Sequence, residues 1–171
     1  MANMSDEQLT KRDRLRYTKN KTSANLALLA IVFDVLYFVS IYKSNIGSYY
    51  YTLMMGISVV YNLVFMLVAF LVSEGSKNYL VQYSYLIIAA GVLQFVRILI
   101  LPVKAHGSII ELSDGPVQVM GSAQFARVCI YLAASGACCL ASAVVGIIRC
   151  RQLAEAEKAA ADFVSNSEIT S

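Results

Sequence analysis

Charge is scarce in this chain. Asp, Glu, Lys and Arg together make up 15% of its 171 residues, where a soluble globular domain carries about 25%. There is one histidine, His106, so a bis-histidine haem site is excluded. The four cysteines, Cys129, Cys138, Cys139 and Cys150, all fall in or at the end of one apolar block. None has the loop spacing of a metal site, and adjacent Cys138 and Cys139 leave a helix in different directions, so they read as small packing residues. Acylation of Cys150 would depend on the host's machinery. No glycine-rich phosphate loop and no Ser/His/Asp set is present. The expectation is a chain that is not an enzyme, with no cofactor and no metal.

What the chain has instead is apolar sequence. Hydrophobic residues make up 58% and the mean hydropathy is +0.61. They are gathered into four blocks, at about 22–42, 49–72, 79–101 and 123–148. Each is long enough to cross ~30 Å of hydrocarbon at 1.5 Å per helical residue. The fold class expected is an all-α membrane protein with four transmembrane helices in an antiparallel bundle. Residues 1–21 form a basic segment before it, 22–148 the membrane domain, and 149–171 an Ala/Glu-rich helical extension to about Phe163 with a frayed tail. Ser5 and Gln8 have the spacing of a capping box. The first block follows a long charged leader and has no small-residue cleavage site, so it reads as a retained signal anchor.

Lys and Arg outside the blocks set the orientation. Lys11, Arg12, Arg14, Arg16, Lys19, Lys21, Lys77, Arg149, Arg151 and Lys158 fall on one side, and only Lys43 and Lys104 on the other. Both termini are therefore expected in the cytoplasm, with a bacterial plasma membrane favoured over a eukaryotic one. The glycosylation patterns beginning at Asn3 and Asn20 then lie inside and stay unmodified. The basic run Lys11–Lys21 ends directly in a span, which favours anionic lipid headgroups over nucleic acid as its partner. Tyr49, Tyr50 and Tyr51 sit where an aromatic belt belongs.

On the outer side, Ile109–Leu112 and Val117–Val119 flank Ser113-Asp114-Gly115-Pro116, which predicts a short β-hairpin over the mouth of the bundle. Residues Ser73–Asn78 read as a polar turn, and Pro102 as a helix stop. The fourth block is rich in small residues. Ala133, Ala137 and Ala141 make one stripe, and Ala134, Cys138, Ser142 and Gly146 another, with Gly136 between them. Small residues let helices approach closely in lipid, which predicts a centrally placed fourth span or a homodimer seam.

Three charges fall inside the blocks: Asp34, Arg97 and Arg127. A charge at the bilayer centre costs about 2.5–3.5 kcal/mol on insertion scales, so each needs a partner. Asp34 lies ~12 Å inside the outer edge and Arg97 about 6 Å inside it on a helical rise. The expected site pairs Asp34 with Arg97 or Arg127. Gln94 lies one turn from Arg97, Tyr37 one turn from Asp34, and Tyr61 and Asn62 are on the second span. Such a cluster is either a structural ion pair or an outward-facing substrate site. The chain lacks the loop disulfide and Trp signature of claudin-like four-span proteins. It also lacks the glutamate-centred first span of small multidrug-type exchangers. The leading expectation is an accessory or scaffold subunit that acts through contacts with other membrane proteins or a second copy; the alternative is a small transporter or channel.

Overall fold

The computed structural model describes residue 10 and residues 12–15, 20–42, 52–112 and 115–169. Four of its helices are long and apolar enough to cross a membrane. In chain order the elements are α1 (Lys21–Ile41), α2 (Thr52–Lys77), α3 (Val81–Ile100), the short α4 (Pro102–His106), strands β1 (Ile109–Leu112) and β2 (Gly115–Gln118), and α5 (Ser122–Ile169). The Ser5/Gln8 cap, Lys11, Arg16, Lys19, Lys43, the Tyr49–Tyr51 belt and Ser113-Asp114 lie outside the described residues.

Helix ends follow local chemistry. Asn20 caps α1 by accepting from the Ser23 amide at 3.4 Å, which satisfies one of the orphan donors of the first turn. α2 runs on to Lys77, so the turn expected at Ser73–Asn78 is mostly helix. The Glu74–Lys77 ion pair and a cation in the last turn both favour continuation. The reversal instead falls at Asn78–Leu80, where Tyr79 takes the left-handed conformation with φ 57°. Pro102 ends α3 by opening α4 at its first position, where a missing N–H costs nothing. β1 and β2 pair antiparallel, Ile109 opposite Gln118 and Leu112 opposite Gly115. α5 continues unbroken to Ile169, past the tail expected to fray beyond Phe163.

Named contacts give the helix directions. Ser23 meets Ser142 and Ser40 meets Gln124, so α5 runs against α1. Gly91 faces Cys139 while Gly146 faces Ser84, so α5 also runs against α3. Arg97 reaches Ser58 while Tyr83 lies over Gly75, so α2 opposes α3. α5 packs mainly on α1 and α3, and α2 on the same two. The fourth long helix thus packs against two of the other three, and more extensively than any other helix does. Its small residues divide by face: Gly136, Ser142 and Gly146 are buried, Ala133 is half-buried, and Ala137 and Ala141 are exposed.

Two apolar clusters form the interior. Ala27, Ala30, Phe65, Ala69, Val72, Ile87, Ala90, Cys139 and Ala143 fill one. Tyr37, Ile41, Ala105, Val119, Met120, Val128 and Leu132 fill the other, beneath α4 and the strands. Most outward positions of α1, α2 and α3 hold large apolar side chains, Val32, Leu63, Leu67, Phe70 and Leu99 among them. In water such a surface would aggregate.

Candidate functional site

Asp34, the one acid of α1, is 1% exposed. One turn on lies Tyr37, and α3 supplies Gln94 and Arg97 one turn apart. Position and spacing therefore bring all four side chains to one level. Arg97 Nη1 donates to Asp34 Oδ1 at 3.3 Å, and Gln94 Nε2 donates to the same oxygen at 3.0 Å. The guanidinium also donates from Nη1 to Asn62 Oδ1 at 2.6 Å and from Nη2 to Ser58 Oγ at 3.3 Å, both on α2. It lies 4.3 Å from the Tyr37 ring centre and 4.7 Å from that of Tyr61, within cation–π range. From α5, Ser135 Oγ accepts from Gln94 Nε2 at 3.3 Å and donates to the Ala30 carbonyl at 3.0 Å. Arg97 thus lies between two aromatic faces, with a carboxylate and two further oxygens accepting its protons. A planar guanidinium can meet such a set, whereas an ammonium cannot.

The structure gathers Asp34, Arg97, Gln94, Tyr37 and Asn62, all buried, and leaves out Arg127, which is exposed. The phase of α5 explains this. Its inward stripe is Val128, Leu132, Ser135 and Cys139, and Ser135, not Arg127, is the α5 residue at the level of Asp34. Ser58 and Ser135 are members that sequence reasoning missed. Serine is common in spans as a small packing residue, so only the neighbour identifies its role.

Some polar atoms of the cluster are unmatched. Asp34 Oδ2, Tyr37 Oη, Asn62 Nδ2 and Gln94 Oε1 have no hydrogen-bond partner among the described residues. A cavity of about 90 Å³ lies between α1 and α2, lined by Asp34, Val35, Phe38, Val59, Asn62, Leu63 and Met66. No cluster of three or more His, Cys, Asp or Glu that could hold a metal occurs among the described residues, and the four cysteines are unbridged.

A second polar group, uncharged, lies at the other end of the helices. Ser23 Oγ donates to the Ser142 carbonyl at 2.8 Å and Ser142 Oγ to the Ser23 carbonyl at 2.7 Å. A Cβ on Gly146 would collide with Ser84 Oγ and approach Ser23 Oγ to 3.3 Å. Gly146 thus makes room for this reciprocal clasp.

Comparison with known protein families, with characterised proteins and with solved structures gives no match for this chain.

Proposed function

We propose that this chain is a non-enzymatic integral membrane protein that works through contacts, as an accessory or scaffold subunit of a membrane complex. Its four long helices form an antiparallel bundle in a plasma membrane, bacterial in the favoured reading. Both termini are cytoplasmic and the β1–β2 hairpin lies on the outer face. The observation that carries this reading is the closure of Asp34. At 1% exposure, and held by Arg97 and Gln94, it has the environment of an ion pair that fixes helix register. A conduit or carrier needs its charged group open to water at some stage. The exposed Ala137 and Ala141 on α5 offer a face where a neighbouring helix, from another subunit or a second copy, can approach closely.

The test is purification of the full chain in mild detergent, comparing native protein with an Ala137→Leu/Ala141→Leu variant. A stoichiometric membrane partner, or a second copy, should accompany the native chain and be lost from the variant. A native chain that runs alone would reject the reading.

One observation favours a second reading, a small transporter or channel centred on Asp34 and Arg97. Asp34 and Asn62, each with an unmatched polar atom, line a cavity of about 90 Å³. Under this reading, flux of an ion or small solute into proteoliposomes would depend on Asp34 and fail in Asp34→Asn.

A further inference from the structure

The charges at the inner end of the long helices are sorted by height. The Ser23–Ser142 clasp places the start of α1 beside α5, and Cys150 Sγ donates to the Tyr79 carbonyl at 3.1 Å. Lys21, Lys77, Arg149 and Arg151 therefore gather at one end of the molecule. Lys77 is already paired with Glu74, and Arg12 in the N-terminal segment with Asp13. Lys21, Arg149 and Arg151 are exposed and make no ion pair among the described residues. They stand where the apolar stretches of α1 and α5 stop. The acids of α5 come only afterwards. Glu155 lies ~6 Å beyond Arg151 on a helical rise, one turn on and within the ~8 Å screening length at physiological salt, but makes no ion pair with it among the described residues. Asp162, ~17 Å beyond Arg151, lies outside that length.

The N-terminal segment is tied to the same level. Tyr79 Oη donates to the Leu15 carbonyl at 2.7 Å. Cys150, which donates to the carbonyl of the same tyrosine, is the chain neighbour of both Arg149 and Arg151, so the two arginines stand close to this tie. We infer that Lys21, Arg149 and Arg151 form a cationic collar that binds the headgroups of anionic phospholipids. The continuous α5 holds its acidic stretch beyond the phosphate level. The occupant follows from charge complementarity and position. The collar lies at the edge of the apolar zone, where lipid phosphates lie, and its cations have no ion-pair partner among the described residues. The basic N-terminal run is thus only part of this surface; two of the three members of the collar come from the far end of the chain. This inference does not depend on whether the chain is a scaffold or a transporter.

The experiment uses the full chain, purified in detergent, with phosphatidylglycerol or phosphatidylcholine added and bound lipid counted by native mass spectrometry. Native protein should retain phosphatidylglycerol in preference to phosphatidylcholine, and 0.5 M salt should abolish the preference. Each basic residue near an anionic surface contributes roughly a fivefold gain in affinity. Arg149→Gln/Arg151→Gln should therefore weaken retention by about 25-fold. Lys21→Gln alone should weaken it about fivefold, an independent check if the double variant folds poorly. Lys104→Gln, at the opposite end, should leave retention unchanged. Equal retention of the two lipids by native protein would overturn the inference, as would full phosphatidylglycerol retention by the folded double variant.

Discussion

Arg97 has more polar and aromatic neighbours than any other charged side chain described above, and its loss would be felt through Asp34. Breaking a buried pair by removing one partner leaves an uncompensated charge and costs about 3–5 kcal/mol. Arg97→Leu should therefore destabilise the protein by that order, seen as a lower unfolding midpoint in mixed micelles. Asp34→Asn should cost less, because the amide still accepts from Gln94 and Arg97 and the cation keeps Asn62, Ser58 and two aromatic rings. Equal effects would show instead that neutralisation by the Asp34 carboxylate outweighs the other contacts of Arg97, and no effect of Asp34→Asn would show that its charge is not what Arg97 needs. At this scale the sequence was half legible. An acid and an arginine inside apolar runs are conspicuous because lipid makes them costly, and Gln94, Tyr37 and Asn62 follow from helical spacing or depth. Arg127 was misplaced because depth alone says nothing of helix phase. Ser58 and Ser135 went unseen because serine is at home in any span.

At the scale of elements, close approach of α5 to its neighbours rests on missing side chains. Gly146→Val would drive a side chain into Ser84 and Ser23 and part the serine clasp. A loss of about 1–3 kcal/mol is expected from overpacking of this kind. Gly56→Ala meets nothing within 4 Å and should leave the unfolding midpoint almost unchanged, serving as a control in the same assay. The clasp itself can be measured by a double-mutant cycle on Ser23→Ala and Ser142→Ala. Hydrogen bonds between spans average about 0.6 kcal/mol, and a coupling near zero would show that the contact is incidental. The four long helices were readable from block length, since 20 apolar residues have few other uses. Their ends were not. The polar letters of Ser73–Lys77 suggest a turn, yet the backbone stays helical with Ser73 and Ser76 buried. The reversal waits for Tyr79, whose left-handed backbone has no signal in a tyrosine.

For the whole molecule, the positive bias of one end makes a topological prediction. A fluorescent reporter fused after Ser171 should fold and shine from the cytoplasm, and an alkaline phosphatase fused there should be inactive. The reverse pattern would invert the orientation. The count of four long apolar helices was legible because it depends on summed hydropathy. Which helix lies beside which was not, because it depends on the phase of each buried stripe. Helix α5 has a mechanical consequence. It runs without a break from Ser122 to Ile169, about 72 Å at 1.5 Å per residue, and roughly 30 Å of that projects past Arg149. Measured from where Gly136 meets Phe95 and Gly91 meets Cys139, it is a lever whose longer arm carries Arg149 and the acidic stretch. A tilt of about 10° about that point sweeps the Ile169 end, roughly 45–50 Å away, sideways by about 8 Å, so a small strain on the hairpin side is magnified at the far tip.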